Sequence, residues 1–293
     1  MFFHSTEYLI YEFLSYCLMT EILRVENLNK TFTKKSFLQP KSDITAAVRN
    51  VSFSLKDDEI LAIAGQSGSG KSTIAKLILR AIVPDSGKIF FKGDEITDDM
   101  LKLKKFRMQC QMVYQDPYDS INPRMRILDI VNEPLEIHGI GNKKSRSQIV
   151  LDALQQVRLE PAQDISKKYP HMLSGGQRQR VVIARALVVK PKMIIADEPV
   201  SMLDVSTRAE ILELMNEIKN ENKISFIYIT HDLATAKYFA DKIIILNAGK
   251  IIEYGDINDV LTKPVHQYTK SLIEAISEPN HENLYREKKI NGE

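Results

Sequence analysis

Gly65-Gln66-Ser67-Gly68-Ser69-Gly70-Lys71-Ser72-Thr73 decides how this chain is read. The apolar run Ile60-Leu61-Ala62-Ile63-Ala64 leads into it, and a helix-compatible run from Thr73 to Arg80 leads out. Strand, glycine loop and helix, with G-x-x-x-x-G-K-[ST] complete in the loop, make a phosphate-binding pattern. Glycines let the backbone curl until successive N–H groups converge on anionic oxygens. The helix behind them aims the positive end of its dipole at the same anion. Lys71 adds a full charge for the β- and γ-phosphates, and the Ser72 hydroxyl is placed to ligate Mg²⁺. Gly65, Gln66, Ser67, Gly68, Ser69, Gly70, Lys71, Ser72 and Thr73 are therefore expected to hold a nucleoside triphosphate.

Working outward, the chain of 293 residues suits one large domain or two small ones. Hydrophobic content of 44% with 27% charge is that of an ordinary soluble globular protein. Lys+Arg of 40 against Asp+Glu of 38 gives no global attraction to nucleic acid, and none is expected as a partner. Two cysteines, Cys17 and Cys110, are too far apart to suggest a disulfide framework or metal cluster and fit a reducing compartment. No uncharged apolar run reaches the length of about eighteen residues needed to span a bilayer. Met1 to Leu18 is apolar and aromatic, but it carries Glu7 and Glu12 and lacks a basic start, against a secretory signal. Met19-Thr20-Glu21 then opens a strand pattern, so residues 1–18 read as an extension ahead of a true start at Met19. The alternative is a short amphipathic arm packed on a partner.

Apolar alternation predicts strands over Glu21–Leu28 and Ala46–Leu55, with a polar hairpin or loop from Thr33 to Thr45 between them. Further strands are expected at Ile60–Ala64, Lys88–Phe91 and Cys110–Tyr114. From Asp116 to about Pro170 the period turns helical, notably in Ile127–Glu136 and Ser147–Val157. Strand and helix then alternate again: helix Gly176–Val189, strand Lys192–Ala196, helix Val205–Asn220, strand Ser225–Ile229, helix Leu233–Phe239. A hairpin of Lys242–Leu246 and Lys250–Tyr254 turns at Asn247-Ala248-Gly249, and a charged tail, expected to be mobile, begins at Glu278. The predicted fold is α/β: a mostly parallel sheet with helices on both faces, an N-terminal antiparallel β subdomain, and an inserted helical subdomain at about 116–170. The main domain is expected to span 19–277.

A phosphate loop alone leaves kinases, GTPases, helicases and transport ATPases open. Leu173-Ser174-Gly175-Gly176-Gln177, continued by Arg178-Gln179-Arg180, offers a second anion site: a serine hydroxyl and glycine amides at a helix N-terminus. This stretch resembles the signature motif of the ATP-binding cassette (ABC) ATPases. Met193-Ile194-Ile195-Ala196-Asp197-Glu198 resembles their Walker B strand, which implies Asp197 beside Mg²⁺ and Glu198 as general base for the attacking water. The resemblance also implies Gln115 in the Q-loop, reaching Mg²⁺ or water, Asp204 in the D-loop Ser201-Met202-Leu203-Asp204, and His231 as the switch histidine. Phe32 matches the aromatic residue that stacks on adenine, with a place in the core as its alternative.

Two further stretches are similar to the oligopeptide, dipeptide and nickel importer ATPases: Tyr114 to Arg124, and Lys263-Pro264-Val265-His266-Gln267-Tyr268-Thr269-Lys270. In the second, Gln267 stands where those proteins carry the proline of His-Pro-Tyr. The longer Thr33–Thr45 loop fits the same class. Some members bind an iron–sulfur cluster near the C-terminus. Both cysteines here precede residue 111, so no such cluster is expected. The resemblance implies ATP and Mg²⁺ as ligands and a head-to-tail dimer with a second, paralogous cassette. It further implies two membrane permeases, an indirect link to an extracytoplasmic solute-binding protein, and a place on the cytoplasmic face of the cell membrane. The expected activity is ATP hydrolysis driving uptake of oligopeptides or dipeptides. The alternatives are nickel-type complexes or oligosaccharides as cargo, or a soluble non-transport ABC ATPase.

Overall fold

The computed structural model describes residues 21–34 and 43–277. The proposed start at Met19 and the tail from Glu278 lie outside them. β1 (Glu21–Lys34) and β2 (Asp43–Lys56) pair antiparallel from Glu21↔Lys56 to Lys34↔Asp43. Both strands therefore run further than their apolar alternation suggests, and the rest of the expected hairpin or loop, residues 35–42, lies outside the described residues. Cross-strand pairing, not local polarity, holds these ends, and register shifts between Val25 and Leu28 and between Leu28 and Thr31 re-aim the side chains. β3 (Ile60–Ala64) is buried at every residue, as an uninterrupted apolar strand requires. It feeds the glycine loop and α1 (Lys71–Ile78). β4 (Ser86–Phe91) and β5 (Asp94–Glu95) complete an antiparallel sheet of order β2-β1-β4-β5.

α2 (Met100–Gln109) has no counterpart among the expected elements. Only Leu103 and Phe106 are buried on it, too few apolar positions to set a helical period against its lysines. Its one clear signal is the cap: the Asp99 carboxylate accepts from the backbone N–H groups of Leu101 and Lys102, both at 2.9 Å. After β6 (Cys110–Val113) the chain is helical for a long stretch: α3 (Pro117–Ser120), α4 (Ile127–His138), α5 (Lys143–Gln156), α6 (Ala162–Lys167), a 3₁₀ turn at Pro170–Met172 and α7 (Gly175–Leu187). α5 begins before the expected Ser147 because Asn142 and Ser145 form a reciprocal capping box. β7 (Met193–Asp197), α8 (Val205–Asn222), β8 (Ser225–Thr230), α9 (Leu233–Phe239), β9 (Lys242–Asn247) and β10 (Lys250–Asp256) follow. α10 (Ile257–Thr262) and α11 (Gln267–Ser277) end the described chain.

The second sheet has the order β10-β9-β3-β8-β7-β6, parallel except for β10 at its edge. Alternate residues of each strand enter different cores. Ala62, Ile194 and Phe226 face the helical layer of α4, α5, α7 and α8, while Leu61, Ile195 and Ile227 face α1, α2 and the antiparallel sheet. Both faces of the parallel sheet are thus covered, and the carboxyl ends of β3, β7 and β8 open onto one edge. Cys110 is buried in the second core, and desolvation pushes its thiol far above the ordinary range. Iodoacetamide should therefore leave Cys110 unmodified in the native protein and label it fully in urea, as read by peptide mass spectrometry. Rapid native labelling would contradict this packing.

Candidate nucleotide site

The glycine loop is shaped by what surrounds it. A Cβ built on Gly65 would stand 2.2 Å from the Leu246 carbonyl oxygen, and one on Gly70 would stand 2.3 Å from that of Ala47. Both obstacles are backbone, and Gly70 also sits at φ 108°, so a side chain fits at neither place. The loop is tied to its neighbours as well. Gly249 N–H, in the β9–β10 turn, donates to Ser69 O at 2.9 Å, and Arg49 N–H of β2 donates to Gly249 O at 2.8 Å. Lys71 Nζ is buried under the loop and donates to Gly65 O at 2.7 Å and Gln66 O at 3.0 Å. Burial lowers its pKa, opposed by the nearby carboxylates of Glu198 and Asp197.

A cleft of about 890 Å³ opens above the loop. Lys71, Ser72, Thr73, Gln115, Glu198 and His231 all line it, although three strands and the loop supply them. Asp197 ends β7 almost fully buried, and the Ser72 side chain hydrogen-bonds to it. Desolvation is the largest influence on the Asp197 carboxyl and raises its pKa. Glu198 turns out of the strand at φ 47°, its N–H donating to Ile229 O of β8 at 2.8 Å. That turn carries the carboxylate to the cleft, where Oε2 accepts from Gln115 Nε2 at 3.0 Å and lies 3.0 Å from His231 Nδ1. The Ser201 hydroxyl donates to Glu198 O at 3.1 Å and lies 3.4 Å from Gln115 Nε2.

The remaining predicted site residues lie elsewhere. Phe32 is 43% exposed and does not line the cleft. Its cross-strand partner Thr45 does, with Ala46, Ala47 and Arg49. Ser174, Gly175, Gly176 and Gln177 open α7 outside the cleft. Ser174 Oγ accepts from Gln177 N–H at 3.2 Å, and Gln177 Oε1 accepts from Ser174 N–H at 3.1 Å. Asp204 caps the adjacent α8, accepting from Ser206 Oγ at 2.6 Å, Thr207 N at 3.0 Å and Thr207 Oγ1 at 2.9 Å, which holds its carboxyl well below the usual range. Sequence reasoning missed Thr45, Ala46, Ala47, Arg49, Ala248 and Leu272, which carry no motif. Gly249 was legible as a turn, but not as the clasp of the loop.

The site suits a nucleoside triphosphate with Mg²⁺. The backbone cradle at Gly65 and Gly70 is of the kind that a Cβ would fill, and the Ser72–Asp197 pair offers hard oxygen donors. Among the described residues no group of three or more His, Cys, Asp or Glu could hold a metal unaided. Mg²⁺ usually takes much of its shell from phosphates and water instead.

A family model described as ABC transporter matches residues 48–201, from β2 past the Walker B strand. The chain belongs to the ABC transporter family. Among relatives, this cassette is 43% identical to the oligopeptide transport ATP-binding protein OppF of Streptococcus mutans over 89% of its own length and 83% of that protein. It is 41% identical to OppF of Bacillus subtilis, covering 89% and 85% respectively. Among solved structures, a dimeric ATP-binding cassette in a post-hydrolysis state with ADP and Pi matches with TM-score 0.70 and 31% identity, over 80% of this chain and 98% of that one. The cbiO1 protein of Clostridium perfringens, part of the ABC transporter complex cbiONQ, matches with TM-score 0.72 and 27% identity, covering 92% and 99%. The cassette is an ATPase, and no helix among its described residues is long and apolar enough to cross a membrane.

Proposed function

We propose that this cassette hydrolyses ATP to drive a peptide importer, docked on the cytoplasmic face of the cell membrane. The observation that carries the hydrolytic role is the Glu198 carboxylate, held by Gln115 and His231 in the same cleft as Lys71. The loop amides and Lys71 bind the β- and γ-phosphates, and Ser72 and Asp197 would hold Mg²⁺. The metal, when bound, neutralises charge on the phosphate oxygens. Glu198 takes the proton of the attacking water, while His231 and Gln115 fix the direction of its carboxylate. Asp204 belongs to the loop that would meet the second cassette.

The position of Ser174 supports pairing. The N-terminus of α7 lies outside the chain's own cleft, so a γ-phosphate bound at Lys71 would meet the Ser174–Gln177 turn of a second cassette. Head-to-tail pairing with a paralogue, two permeases and a solute receptor complete the assembly. The names of the most similar relatives support peptides as cargo. Tagged Glu198→Gln protein, purified from native membranes with Mg²⁺ and ATP, should bring down a second cassette and two multi-span permeases. Recovery of ribosomal or DNA-bound proteins alone would overturn the transport role and leave the ATPase standing.

A further inference from the structure

The segment from Lys263 to Lys270 is far from the glycine loop in sequence and touches it in space. Tyr268, at the start of α11, accepts at its hydroxyl oxygen from Gln66 N–H at 3.3 Å, across a separation of 202 residues. The carbonyl of the same Gln66 accepts from Lys71 Nζ at 3.0 Å. The residue is thus held at both ends, by the phosphate-binding lysine on one side and by the C-terminal helix on the other. Tyr268 is itself fixed. Its N–H donates to His266 Nδ1 at 3.0 Å, and the neighbouring Val265 N–H donates to Glu253 Oε1 of β10 at 2.6 Å. Tyr268 and Leu272 both pack against the core, and Leu272 goes on to line the nucleotide cleft.

We propose that Tyr268 is a positioning residue of the nucleotide site, with α11 forming one wall of the cleft. The physical reason lies in Lys71. Phosphate oxygens attract its ammonium group away from Gln66 O, which leaves that carbonyl only the Ser69 N–H of the same loop, at 3.2 Å. The Tyr268 bond then ties Gln66 to a segment outside the loop, so it contributes most when nucleotide is bound. This inference rests on the assignment of the cleft to ATP.

The test is titration of full-length Tyr268→Phe with a fluorescent ATP analogue and with ADP, beside steady-state ATPase kinetics and calorimetric melting. Tyr254→Phe is the control, because Tyr254 Oη makes a comparable bond to Ser54 O at 3.2 Å away from the cleft. The expected result for Tyr268→Phe is a Kd and KM raised about three- to tenfold, the range one hydrogen bond allows. The loss should fall in KM and not in kcat, with the melting temperature of the nucleotide-free protein held. Equal weakening in both variants, or an unchanged Kd in Tyr268→Phe beside a binding-competent native chain, overturns the inference alone. A native chain that binds no ATP overturns it together with the proposed function.

Discussion

Glu198→Gln protein is expected to bind MgATP with near-native affinity and to hydrolyse it at least about a hundredfold more slowly, since a positioned general base contributes about 10²- to 10⁴-fold. The substitution is nearly isosteric, and the backbone features that place the residue do not depend on its charge. Glu198 N–H donates to Ile229 O, and the Ser201 hydroxyl bonds to the Glu198 carbonyl. An amide oxygen can still accept from Gln115 or His231, so the cleft keeps its shape, but it cannot take a proton from water at neutral pH. Rapid-quench measurement of a single turnover separates the two steps. Unimpaired chemistry in this variant would remove Glu198 as the base and leave the positions of Gln115 and His231 unexplained.

Gly70→Ala is expected to lower nucleotide affinity at least about a hundredfold, which corresponds to about 2.7 kcal/mol. The new methyl group would meet the Ala47 carbonyl oxygen at 2.3 Å, and that carbonyl belongs to β2, a strand paired along its length with β1. Neither side can yield without opening the sheet or the N-terminus of α1, so the loop amides lose their convergence. Gly68→Ala is the informative contrast. Gly68 has φ +80°, but a Cβ there meets nothing within 4 Å, so only the backbone strain of about 1–2 kcal/mol remains. Equal affinities for the two variants, measured by equilibrium titration, would mean that the Ala47 contact does not shape the loop.

The buried parallel strands were legible because burial on both faces leaves contiguous apolar runs such as Ile60–Ala64 and Ile194–Ala196. The phosphate loop and the Asp197-Glu198 pair were legible because their chemistry needs particular residues at fixed spacing. What depends on tertiary pairing was not legible. The ends of β1 and β2 are polar and persist through their ladder, and α2 hides its period among lysines. α11 could be matched to a motif, yet nothing local says that Tyr268 reaches Gln66. Phe32 lies opposite Thr45, which lines the cleft, and such cross-strand pairing is invisible to sequence spacing.

The clasp at Gly249 has a thermodynamic consequence. One turn hydrogen-bonds both to the phosphate loop, through Ser69, and to the antiparallel sheet, through Arg49. Local opening of the loop therefore breaks its bond to the edge hairpin, and release of the hairpin frees β2 at Arg49 as well. These bonds couple the three segments, and a ligand that binds only the closed form stabilises it by an amount set by ligand concentration over Kd. Filling the cleft is thus expected to slow amide exchange in the N-terminal sheet as far as β1 and β4, which do not line the cleft.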